Sequence, residues 1–181
     1  MIETPLGTGP FTLNGGDNPT WQIQNKLDAL GRFASSTSTY KISSNITIPV
    51  GIVTVNNELA KFIPAGALVT SLGLFFTENI SAGASSAVSV AFGTASAGVD
   101  LVASTALTAA GESGGINSLI STSNGAKLAT GGAAIVAAVA APFYFGNENS
   151  LFLQTINVGT VLGATCDVKV VMEYIPGVSN V

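Results

Sequence analysis

The chain has 181 residues, a net charge of −4 and a pI near 4.5, with no histidine, one cysteine and only 9% charged residues. Without histidine there is no Ser–His or Cys–His nucleophile pair, and with a single cysteine a His/Cys zinc site is ruled out by count. The six basic residues, Lys26, Arg32, Lys41, Lys61, Lys127 and Lys169, are spread along the sequence, so nothing marks a nucleic-acid footprint.

Apolar residues make up 47% before the 21 glycines are counted. So few charges clothe a free monomer poorly, which predicts that much of the surface meets other protein. No basic region followed by an apolar stretch opens the chain, so no signal peptide is expected. Residues 1–18 are rich in Gly, Pro and Asn and read as an extended or looped arm. One helix signal follows. Asn18 can cap, Pro19 suits the first helical position, Ile23, Leu27 and Leu30 recur at helical spacing beside Trp21, and Gly31 can terminate. A helix of three turns is marginal alone, so its stripe docks either on its own domain or on a partner.

From Tyr40 the period changes to two. Tyr40, Ile42, Ile46 and Ile48 are placed on one strand face, with Lys41 and Thr47 on the other. Two further apolar runs follow, Ile52–Val55 and Lys61–Ile63, the second entering the turn Pro64-Ala65-Gly66. Leu68, Leu72, Leu74 and Phe76 then alternate with Val69, Ser71 and Gly73, and Val88, Val90 and Phe92 alternate with Ser89 and Ala91. In the middle, Leu101–Ser104 and Ser118–Ser121 predict short strands, while 111–115 and 123–125 predict turns. Ala133–Ala141 is assigned to strand because its surroundings are all β. The 15 residues from Gly131 to Phe145 are the most apolar segment, shorter than the roughly 20 of a membrane-spanning helix, and are placed in the protein interior. The clearest strand closes the chain: Cys166, Val168, Val170, Met172 and Tyr174 on one face, Asp167, Lys169 and Glu173 on the other. Many short strands separated by Gly, Ser, Asn and Pro clusters indicate a β-sandwich or barrel. The chain thus divides into an arm over 1–39, with a helix at about 19–30, and an all-β domain over 40–181.

No pattern supports catalysis, a metal or a cofactor, and none is expected. Asp167 and Glu173 lie about 20 Å apart along one strand, whereas a glycosidase pair needs roughly 5–10 Å. Gly146-Asn147-Glu148-Asn149 lacks the acidic repeat of a calcium loop, and Gly131-Gly132 fits neither phosphate-binding pattern. Cys166 sits in an apolar run and is assigned to the core.

The stretch IPAGALVTSLGLFFTENISAGASSAVSVAFGTASAGVDLVAST and the closing NSLFLQTINVGTVLGATCDVKVVMEYIPG resemble small β-domains of tailed bacteriophages: head decoration (cement) proteins, head fibres and minor structural proteins. The matching positions include Pro64, Ala65, Gly66, Gly93, Thr94, Asp100, Leu101, Glu173 and Tyr174. The resemblance implies a jelly-roll-like β-sandwich and a structural role on the outer surface of a virion capsid, after synthesis in the host cytoplasm. It also implies sister copies arranged as a homotrimer and a major capsid protein as partner. A head-fibre or tail-associated module touching host glycans through loops 112–117, 123–126 and 146–150 is the alternative. The arm matches no part of that family. Phe11, Trp21, Ile23, Leu27, Leu30 and Phe33 are its candidates for capsid anchoring or packing.

Overall fold

The computed structural model describes residues 38–49, 51, 53–81, 87–138, 142–158 and 165–177, and all regular structure in them is β. The strands are β1 (Thr39–Ile42), β2 (Ile46–Ile48), β3 (Thr54–Ile63), β4 (Ala67–Phe76), β5 (Ile80–Ser81), β6 (Ala87–Gly93), β7 (Val102–Thr108), β8 (Ser113–Gly114), β9 (Leu119–Ser121), β10 (Phe143–Phe145), β11 (Asn149–Val158) and β12 (Cys166–Ile175). Every pairing is antiparallel. One sheet has six strands in the order β1-β12-β4-β10, with β2 also on β12 and β9 also on β4. The second has four in the order β3-β11-β6-β7. Following the chain, β2, β4, β9/β10 and β12 fall in the first sheet, and β3, β6, β7 and β11 fall in the second. Apart from β1–β2, β6–β7 and β9–β10, which stay within one sheet, the chain passes back and forth between the two sheets, the arrangement of a β-sandwich.

The core lies between the two sheets. Ile48, Leu72, Leu74, Phe76, Val168, Val170 and Met172 of the six-stranded sheet are fully buried with Val88, Val90, Phe92, Leu151 and Leu153 of the four-stranded one. Period-two alternation produces this wherever a strand is regular. β12 keeps the predicted faces along its whole length: Cys166, Val168, Val170 and Met172 are buried, and Tyr174 packs on the core edge. Cys166 is in the core as expected, its thiol donating to the Glu78 carbonyl at 3.6 Å.

Three expectations are corrected. Tyr40 and Ile42 do not share the buried face of Ile46 and Ile48. β1 pairs Ile42 with Val171, whereas β2 pairs Ile46 with Val168, so one extra residue is accommodated over Ser43–Asn45. That bulge turns β1 over, and Ile42 is 58% exposed where Ile48 is 0%. Ser43 holds it, its amide donating to the Val170 carbonyl and its Oγ accepting from the Val170 amide, both at 2.9 Å. In β4, Ser71 pairs with Glu173 and Val69 with Tyr174, leaving Thr70 as an extra residue. Before it Ala67 and Val69 are buried; after it Leu72, Leu74 and Phe76 are, so Leu68 points outward rather than with Leu72. Finally, Ala133–Ala141 is not a strand in its described part, 133–138. It runs beside β7 through a hydrogen bond from the Ala133 amide to the Ala106 carbonyl, a single Val102–Ala137 bridge and a hydrogen bond from the Ala138 amide to the Leu101 carbonyl. Bulges in β7 prevent a continuous ladder there.

Thr54 and Val55 of the run predicted at 52–55, and the whole run 61–63, belong to one strand, β3, joined by a polar stretch in which Thr54, Asn56 and Glu58 are exposed and Val55, Asn57 and Leu59 are half-buried. Near its end the register against β11 shifts, and Lys61 adopts φ +53. There the Lys41 ammonium of β1 lies 5.0 Å from the Phe62 ring centroid and donates to the Lys61 carbonyl at 3.1 Å, tying the edges of the two sheets together.

Candidate interaction face

Directly opposed residues of antiparallel strands point to the same side of a sheet, so the register defines the outer face of the six-stranded sheet. Its rows are Tyr40–Glu173–Ser71, Ile42–Val171–Gly73–Ser121, Lys169–Phe75–Leu119 and, past the Thr70 bulge, Ile175–Leu68–Tyr144. Tyr40 (62%), Ile42 (58%), Leu119 and Tyr144 are four of the seven large apolar side chains left exposed among the described residues. The outer face of the four-stranded sheet is mixed. Its β3–β11 rows are Phe152–Glu58, Gln154–Asn56 and Ile156–Thr54; Gln154 donates to Asn56 at 3.1 Å, and Ser150 donates to Glu58 at 2.9 Å. Phe152 and Ile156 are half-buried there, whereas Tyr40 and Ile42 on the six-stranded sheet are more than half exposed.

Local geometry builds the apolar side. The Ser43 bulge puts Tyr40 and Ile42 outward, and the Thr70 bulge does the same for Leu68. Gly73 lets β9 lie against β4, since a Cβ at that position would run into the Ile120 carbonyl oxygen and, at 2.6 Å, Cβ of Ser121. β9 then leads into a turn whose hydroxyls cross back over β4: Ser123 Oγ shares hydrogen bonds with Ser71 Oγ at 3.0 Å and Ser121 Oγ at 3.1 Å. Tyr40, Ser71, Ser121, Ser123, Val171, Glu173 and their neighbours Leu119 and Asn124 enclose a shallow cleft of about 110 Å³.

Charge on this face is sparse and ordered. Asp167 is engaged, accepting from Thr47 Oγ1 at 2.6 Å and from Asn45 Nδ2 at 3.3 Å. Lys169 and Glu173, two residues to either side of Val171, have no ion-pair partner among the described residues; the ion pair found there joins Lys61 to Glu148 at 3.2 Å. β12 thus carries an apolar residue between two free opposite charges.

The six anchoring candidates, Phe11, Trp21, Ile23, Leu27, Leu30 and Phe33, and the helix expected at 19–30 lie outside the described residues. The loops considered for glycan contact are largely occupied with their own backbone. Asn124 accepts from the Ser121 and Ala126 amides and donates to the Leu119 carbonyl, and Asn149 donates to the Asn147 carbonyl. The positions carrying the phage resemblance lie in turns, such as 64–66 and 94–100, and in strands, Gly93 ending β6 and Glu173 and Tyr174 in β12. Gly66 takes φ +70 in a turn closed by the Ala67 amide on the Pro64 carbonyl, and Asp100 accepts from the Thr94 amide at 3.0 Å and the Thr94 hydroxyl at 2.8 Å. Among the described residues no group of three or more Asp, Glu or Cys is placed to hold a metal, and no helix is long and apolar enough to cross a membrane.

Sequence reasoning missed Tyr40 and Ile42 as outward residues, although the polar break Ser43-Ser44-Asn45 between Ile42 and Ile46 marks the bulge. It also passed over Val171, the apolar residue set between Lys169 and Glu173 on the outer face of β12.

No known family's model matches the chain, and no curated protein does. Among solved structures, a chain described as "Cyanophage Pam1 capsid asymmetric unit" is similar at 14% identity and a TM-score of 0.36, over 76% of this chain and 85% of that one.

Proposed function

We propose that this protein is a structural component of a bacteriophage virion that decorates the outer surface of the capsid and reinforces it, acting by assembly rather than turnover. The supporting observation is the exposed apolar surface on the outer face of the six-stranded sheet, with Tyr40 and Ile42 more than half exposed, in a chain with very few charges. The partners in this proposal are the major capsid protein and sister copies, grouped as a homotrimer through the side walls of the sandwich. The homotrimer is taken from the sequence resemblance alone.

The physical mechanism is linkage. A protein that binds the assembled shell and not its dissociated subunits stabilises the shell in proportion to its occupancy. Each contact can be modest, because repetition over a lattice adds avidity without new chemistry. The test is stoichiometry in purified particles. Decoration predicts a copy number in fixed ratio to the shell subunit and shells that withstand more heat when the protein is present. A few copies confined to one vertex or the tail overturn the proposal and leave the fibre alternative.

A further inference from the structure

The free charges on β12 are arranged with two-fold self-complementarity. Lys169 and Glu173 are equidistant from Val171 on one face of one strand. Stack a second copy face to face with its β12 antiparallel and the two Val171 side chains in register. Lys169 of each copy then lies over Glu173 of the other. The rest of the face obeys the same operation. Ile42 shares the row of Val171 and meets its own counterpart, so apolar surface meets apolar surface between the two charge pairs. Such reciprocal matching is the mark of an isologous contact.

We propose that the outer face of the six-stranded sheet pairs with the same face of a second copy about a two-fold axis through Val171, with Lys169 and Glu173 forming two reciprocal ion pairs. This deepens the proposed function by naming the partner of that face, and it rests on the reading of a self-assembling protein, though not on the trimer. The ion-pair geometry is undemanding. Sheets stacked face to face sit about 10 Å apart, which a lysine stem spans. Four strands by about eight residues cover roughly 500 Å² in projection, below the roughly 800 Å² per partner of a standard stable interface. The contact is therefore concentration-dependent in solution and gains strength where copies are already held side by side on a surface.

The experiment is sedimentation equilibrium of the full chain over a wide concentration range at low salt. Wild type should double its mass from its smallest unit as concentration rises, whether that unit is a monomer or a trimer. Lys169→Glu and Glu173→Lys should each weaken the doubling by at least about tenfold, because each puts like charges opposite one another twice. The reciprocal variant K169E/E173K should restore it. So should an equimolar mixture of the two single variants, in which every Glu again faces a Lys. The proposal is overturned if wild type never doubles, if either single variant doubles as readily as wild type, or if neither the reciprocal variant nor the mixture recovers. A smallest unit other than a trimer removes the homotrimer and leaves this face untouched, so the two failures are separable.

Discussion

Burial can silence a reactive group, and Cys166 is the case in this chain. It is fully buried opposite Ile48, and its pKa is pushed up to about 12, by burial first and then by the negative charges of Glu78 and Asp167. An unfolded cysteine titrates near 8.5. Between about pH 8.5 and 12 the unfolded chain therefore releases a proton that the folded chain keeps. The stabilisation is complete below the unfolded value and is lost as pH rises toward the folded one. The expected outcome is that wild type is more stable than Cys166→Ala at neutral pH, and that this advantage shrinks steadily above about pH 8.5. Thermal unfolding of both proteins from about pH 7 to about pH 11 measures it; curves that stay parallel refute it. The folded thiol should also resist a thiol reagent at mildly alkaline pH. This residue was legible in the sequence, because an uncharged small side chain in a strict alternation has one face to go to.

Strand faces were less legible than strands. β12 and β6 could be read correctly because nothing interrupts their alternation between Cys166 and Tyr174 or between Val88 and Phe92. β1 and β4 could not, because one unpaired residue in each, around Ser44 and at Thr70, reverses every side chain beyond it. Alternation carries no record of the partner strand's register, so a bulge is invisible unless its residues are conspicuous. The candidate face depends on both bulges and on Gly73. Gly73→Ala should push β9 off β4, since the new methyl would overlap the Ile120 carbonyl and Ser121. A destabilisation of about 1–3 kcal/mol is expected, typical of overpacking. Its signature is local: amides of β9 and the turn after it should exchange faster than those of β12, which pairs on the other side of β4. A denaturant midpoint and an amide exchange map report both. Equal loosening of β9 and β12 would mean that Gly73 supports the sheet as a whole rather than seating β9.

At the scale of the molecule, the sandwich and the order of its strands have physical causes that differ in how far sequence reveals them. Alternating runs with short turns forced an all-β domain, but the order of strands follows from pairings far apart in the chain, such as β1 with β12, which composition does not encode. The buried apolar residues described, from Ile46 to Met172, all belong to the two sheets and the connections between them. If that core closes between its own strands, removing residues 1–33 should leave a cooperatively unfolding β-protein. If Phe11, Trp21, Ile23, Leu27, Leu30 and Phe33 are the anchor, the same truncation should abolish binding to capsids. Leu27→Asp in the full chain separates the two roles, because it leaves the arm in place and spoils one apolar stripe. For an anchor, capsid binding should fall with the melting temperature unchanged. A lowered melting temperature together with retained binding would instead assign the predicted helix to the domain's own packing, and attachment to the shell would then have to come from the sandwich itself.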